Sequence, residues 1–131
     1  MTPASTPPLI LEAAHGSHDG RLHFGEVIEL LMRADVESYH ADYRSHRTTY
    51  YLADGATFAV ELPSIDVPVA DAFDVAGVRA AIAGAQRGSV MYPEFKQLTM
   101  QAGCVGYIVW IAGRHASYFG RCGEVHVEVF P

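Results

Sequence analysis

The sequence predicts an α+β fold: an internal duplication of an ααβββ unit, with antiparallel meanders, helices packed on one side, and halves related by a pseudo-two-fold axis. Three observations lead there. Sliding residues 10–63 by 68 positions lays them without a gap on residues 78–131 (92 − 24 = 68, Phe24 onto Tyr92). Identical pairs are Ala13/Ala81, Gly16/Gly84, Gly20/Gly88, Glu26/Glu94, Leu30/Leu98, Met32/Met100, Ala34/Ala102, Tyr39/Tyr107, Tyr50/Tyr118, Gly55/Gly123 and Pro63/Pro131. Those 11 matches over 54 positions exceed the roughly 3 or 4 of a chance overlay, and such self-similarity marks repeat architecture. Within each copy the hydrophobic period then changes from near 3.6 to 2, the passage from helix to strand. Glycine-bearing turn signals, finally, separate short runs rich in β-branched and aromatic residues.

Residues 1–9, polar and proline-rich, are expected to form a flexible tail, with Thr6 capping and Pro7 entering the first helix. Residues 10–131 make a single domain of two repeats, 10–63 and 78–131, joined by a linker over 64–77 that carries prolines and aspartates. Each repeat alone is too short to bury a sufficient core, so the two share one. The first helices, about Pro8 to His18 and Val75 to Gln86, end at Gly20 and Gly88, and Asp74 is placed to cap the second of them. The next pair runs from about Gly25 to Asp35 and Pro93 to Ala102, with Val27, Ile28, Leu31 and Ala34 at helical spacing and Pro93 in a favourable first-turn position.

In repeat two the strands read Cys104 to Ala112, His115 to Arg121 and Glu124 to Phe130. Treating Gly113-Arg114 and Cys122-Gly123 as two-residue turns sets Val109 opposite Tyr118 and Tyr118 opposite Val127. Tyr107, Val109, Ile111, Ala116, Tyr118, Val125, Val127 and Val129 then face the helices, while Ile108, Trp110, Ser117, Phe119, His126 and Glu128 face away. In repeat one Tyr39, Ala41, Tyr43, Tyr50 and Leu52 fall on the core face, but Phe58, Val60 and Leu62 come out in the opposite phase. Either a bulge at Asp54-Gly55 restores the phase or the third strand is buried on both sides.

A net charge of −6 removes the electrostatic attraction on which nonspecific nucleic-acid or anionic-membrane binding depends, so neither partner is expected. No apolar run has the length of a membrane span, and the first residues lack the features of a secretory signal, so the expected compartment is the cytoplasm. Cys104 and Cys122 are read as ordinary reduced thiols, neighbours across the hairpin with Cys104 opposite Gly123. Only 18% of residues are charged, below the roughly 25% of typical soluble domains, which leaves room for a face covered by a partner.

No nucleophile elbow, phosphate-binding loop or dinucleotide fingerprint is present, so no catalytic residue is assigned and no cofactor is implied. His15, His18 and His23 lack the rest of a ligand set and read as surface histidines, and no metal site is expected. The ligand-binding candidates are His40, Asp42, Tyr51, Trp110, Phe119, His126 and Glu128, all placed on the sheet face away from the helices. An aromatic floor beside a histidine and carboxylates suits a small molecule, and the competing reading is a solvated strand face with a partly covered aromatic patch. The function expected is a binding or regulatory module, forming a homodimer or meeting a protein partner through that face. The alternative is a small-molecule enzyme using the same His/Asp/Tyr/Glu cluster, with His126 and Glu128 as acid and base.

Tyr92-Pro-Glu-Phe95, Ala102-Gly-Cys-Val-Gly-Tyr107 and Tyr118-Phe-Gly-Arg-Cys-Gly-Glu-Val-His-Val-Glu-Val-Phe-Pro131 together resemble an uncharacterised bacterial family whose members are sometimes labelled phage envelope proteins. Tyr39-His-Ala-Asp42, Thr49-Tyr-Tyr51 and Asp54-Gly55 extend the resemblance to about Phe24 to Pro131. It implies a domain of unknown function and brings no catalytic residues with it.

Overall fold

Ten elements follow one another in a computed structural model that describes residues 6–131. They are α1 (Thr6–His18), α2 (Phe24–Arg33), β1 (Val36–Asp42), β2 (Arg47–Leu52), β3 (Thr57–Glu61), α3 (Val75–Gln86), α4 (Tyr92–Gln101), β4 (Cys104–Trp110), β5 (His115–Gly120) and β6 (Val125–Val129). The order ααβββ therefore occurs twice in an α+β fold. All six strands form one antiparallel sheet in the order β3-β2-β1-β4-β5-β6, so β1 and β4 meet at its centre.

The helix starts follow from local chemistry. Asp74 accepts a hydrogen bond from the Gly77 N–H at 3.2 Å, satisfying one of the donors that α3 leaves free. Pro93 sits in the first turn of α4, where its missing N–H costs nothing. At the head of α2, Glu26 reaches back to accept from the His23 N–H at 2.9 Å. The tail expected over 1–9 overlaps α1, to which Thr6 to Leu9 belong, and its residues 1–5 lie outside the described residues. Thr6 is 2% exposed, and its hydroxyl donates to the Ala34 carbonyl, so it pins α1 to the end of α2 from inside the helix. The segment between β3 and α3 has no regular structure, but the Ala70 and Asp74 N–H groups donate to the carbonyls of Met100 and Ala102 at the end of α4.

The turns decide which side chains face inward. The β1–β2 and β4–β5 hairpins close through four-residue loops, Tyr43–His46 and Ile111–Arg114, whose last residues lie at φ 58° and 60°. Val109 consequently pairs with Ala116, and Tyr107 with Tyr118, two residues from the expected register; a shift of two leaves every side chain on its face. The other two hairpins are tighter. The Leu52 N–H donates to the Ala56 carbonyl and the Gly55 N–H to the Leu52 carbonyl, and the Gly120–Glu124 turn repeats the pattern with Gly123. A three-residue loop with glycine at positive φ, 91° at Gly55 and 84° at Gly123, adds one residue to the strand crossover.

For β3 this bulge is the first of the two expected alternatives: Phe58 and Val60 pair with Tyr50 and Thr48 and point at the helices. For β6 it overturns the expected facing. Tyr118 pairs with His126 rather than Val127, and Ala116 pairs with Glu128. His126 and Glu128 therefore lie on the helix side, and Val125, Val127 and Val129 on the open side, at 52%, 52% and 68% exposure. The four-residue loop and a bulge within β4 together bring Cys104 opposite Gly120 rather than Gly123; its thiol is buried while that of Cys122 is exposed, and both are free.

Helices and sheet enclose a core in which aliphatic side chains of α1 to α4 (Ile10, Leu31, Val78, Met100) meet Val36, Val60, Val109 and a group of tyrosines. Tyr39, Tyr43, Tyr50, Tyr107 and Tyr118 all take part. Such rings bring large buried area together with edge-to-face packing preferences.

Candidate functional site

The residues singled out from the sequence divide between the two faces of the sheet. His40, Asp42, Tyr51, Trp110 and Phe119 lie on the open face: His40 pairs with Thr49 and Ile108, and Tyr51 with Ser38 and Thr57. Asp42 serves the β1–β2 turn, its carboxylate accepting from the Arg44 N–H at 3.0 Å. Partial burial would raise its pKa, but hydrogen bonds from the Ser45 side chain and from the Arg44 and Ser45 backbone outweigh that and hold it below the ordinary carboxylate value. Trp110 donates through its indole N–H to the Ser117 hydroxyl at 3.2 Å and lies against His115. His126 and Glu128 are 3.1 Å apart on the other face, so the sheet separates them from the remaining five. The cluster on which an enzymatic reading would rest does not converge.

What the sequence reading missed lies under the helices. A cavity of about 90 Å³ opens where α2, α3 and α4 cross β1, β4, β5 and the end of β6. Tyr39, Tyr92, Phe95, Tyr107 and Tyr118 supply much of its wall, and Glu128 is its one carboxylate side chain among the described residues. Each ring arrives by a different element. Tyr39 and Tyr107 project from the paired central strands, Tyr118 from β5 and Phe95 from α4, while Tyr92 opens α4 beside its proline. Phe24, 40% exposed, stands edge-on to Phe130 at 5.7 Å and shares the rim.

The rings fix one another. Phe95 meets Tyr107 at 6.2 Å and 88°, Tyr39 meets Tyr107 at 6.3 Å and 75°, and Tyr107 lies 5.4 Å from Tyr118. Burial disfavours the phenolate, which pushes Tyr39, Tyr107 and Tyr118 well up and Tyr92 up to about 12. At neutral pH the tyrosines are therefore uncharged donors and acceptors with apolar faces. On the partner strand of Tyr118, the His126 imidazole lies 6.4 Å from its ring and contacts the Glu128 carboxylate, whose side chain is 34% exposed. The carboxylate thus sits between the aromatic interior and solvent.

The 68-residue offset held a signal for this arrangement. Glu128 matches Val60 and His126 matches Phe58, and for Phe58 and Val60 a bulge at Asp54-Gly55 was one of the two alternatives. Carrying that bulge to the matched Gly123 turns His126 and Glu128 inward.

Elsewhere, Lys96 is 6% exposed with its ammonium 5.7 Å from the Tyr43 ring, and burial lowers its pKa. The Tyr43 hydroxyl is 2.8 Å from that of Thr99, which also donates toward the Phe95 and Lys96 carbonyls, so this group ties α4 to the sheet. Among the described residues, no three His, Cys, Asp or Glu side chains come together in a way that would hold a metal ion. No helix among them is long and apolar enough to cross a membrane.

No curated protein matches the chain. The model of a family described as "Protein of unknown function (DUF1398)" matches residues 12–128, nearly the whole α+β domain with its cavity, and the chain belongs to that family.

Proposed function

We propose that this chain is a binding module whose small ligand occupies the tyrosine-walled cavity beneath the helices. The observation that supports it is the void itself, about 90 Å³ beside a cluster of large rings. Protein interiors are normally filled to the density of organic crystals. A space left open among large rings is room that a ligand of matching shape can fill. Its wall has the composition of small-molecule sites, mostly apolar with a few polar groups, here Ser17, His23, Gln86 and Glu128 beside the tyrosines.

Titration with phenol and toluene, followed by NMR, tests this. The expected result is shifts concentrated on Val27, Ala116 and Tyr118, which vanish in Ala116→Leu while that variant still unfolds cooperatively. Shifts confined to the open face, or unaffected by the filled cavity, would remove the reading.

A second reading concerns the open face. Ile108, Trp110, Phe119, Val125, Val127 and Val129 share it, with the three valines half or more exposed. An apolar patch on a short edge strand favours association of two copies. Light scattering should give a dimer that Val127→Lys converts to monomer, and a monomeric wild-type chain would end this idea.

A further inference from the structure

Building on the reading of the cavity as a binding site, we infer that its ligand is a small organic cation, a quaternary or protonated amine held against the rings with Glu128 as counter-charge. Aromatic faces carry negative potential and attract cations most strongly where water is excluded. Here the tyrosines are kept neutral by burial and are held by contacts with one another, so the rings that line the cavity are in place before a ligand arrives.

The charge at the site points the same way. Glu128 is turned inward by the Gly123 bulge and faces Ala116 on the cavity wall. Its contact with a protein group is His126 at 3.1 Å. No lysine or arginine lines the cavity among the described residues. Arg87 and Arg114 line an adjoining, more open groove that shares Phe24 and Phe130 with the cavity, and the Arg114 guanidinium lies over the Phe130 ring at 5.3 Å. Glu128 already has His126 as a partner and a third of its side chain in solvent, and a cation would add a second partner on the cavity side. An anionic ligand would add repulsion, and a neutral one would leave Glu128 as it is. A cation satisfies both the carboxylate and the rings.

Nor does the fold require an acid there. The matched position on β3 is Val60, 6% exposed in the same helix-facing register.

Choline and its neutral isostere 3,3-dimethylbutan-1-ol separate charge from shape. Calorimetric titration of the full chain should show choline binding about tenfold tighter than the alcohol, the scale of a desolvated cation–π contact with a counter-charge. Glu128→Gln should abolish most of that preference while leaving the alcohol's affinity unchanged. Equal affinities, or tighter binding of the alcohol, would overturn the cation inference and leave the cavity reading standing. Binding of neither would also overturn it, and the phenol and toluene titration then decides the cavity reading separately. The wild-type comparison alone settles the question of charge should Glu128→Gln fail to fold.

Discussion

β3 and β6 occupy equivalent outer edges of the sheet, leave equivalent glycine bulges and present alternate residues inward in the same phase, yet they carry opposite cargo. β3 turns Phe58 and Val60 toward the helices and Thr57, Ala59 and Glu61 outward, with Glu61 paired to Arg47 at 3.0 Å. This is the ordinary one-sided strand, apolar in and polar out. β6 turns His126 and Glu128 inward and three valines outward. The backbone of a hairpin, fixed by one glycine, thus sets which face a strand shows independently of which residues are greasy. One half of the domain used that geometry to close a core, and the other to put a carboxylate inside and an apolar patch outside.

Exchanging cargo between the strands is the severest test of this difference. Val60→Glu should destabilise the fold by about 3 kcal/mol or more in urea unfolding, because the cavity does not reach Val60 and Phe58 stands where β6 has His126. A loss below about 1 kcal/mol would mean that the two edges are interchangeable after all. A smaller effect is expected where the helix-to-strand turns differ: Asp35 at φ 60° in the first half matches Gly103 at φ 86° in the second. An added Cβ at Gly103 would run into the Ala72 carbonyl, so Gly103→Ala should cost about 2 kcal/mol, whereas Asp35→Gly should change stability by less than about 1 kcal/mol. The smallest change is expected for Glu128→Val, the reverse exchange. It should shift unfolding by no more than about 1 kcal/mol in either direction, since it removes a partly solvated charge and supplies apolar area. A large loss would show that the carboxylate holds β6 in place.

The residues that gave the architecture away were those acting locally. Asp74 as a cap, Pro93 in a first turn and the period change before Tyr39 and Tyr107 each need only a few neighbours to take effect, and each produced the expected element. The side-by-side placing of the two sets of strands comes from the pairing of β1 with β4. What misled was the alternation in Val125–Val129: taken alone it sends valines inward, because burial of apolar residues is the strongest prior available. The facing is instead decided by one extra residue at Gly123, and a single step of register reverses every side chain. That is why five of the seven candidate ligand residues stayed on the open face while His126 and Glu128 moved to the other. The cavity was hidden for a different reason. Its walls come from all four helices and four strands, and volume left unfilled between distant segments leaves no periodic trace in a chain.

The seam where β1 pairs with β4 has a consequence for how the protein is made. His40 meets Ile108 across it, partners 68 residues apart, so β1 emerges from the ribosome long before its second neighbour exists. During that interval the nascent first half exposes an unmated strand edge flanked by Tyr39 and Ala41, the kind of template that recruits other chains. Folding of the whole sheet therefore waits on β4, which follows the second helical pair in the chain.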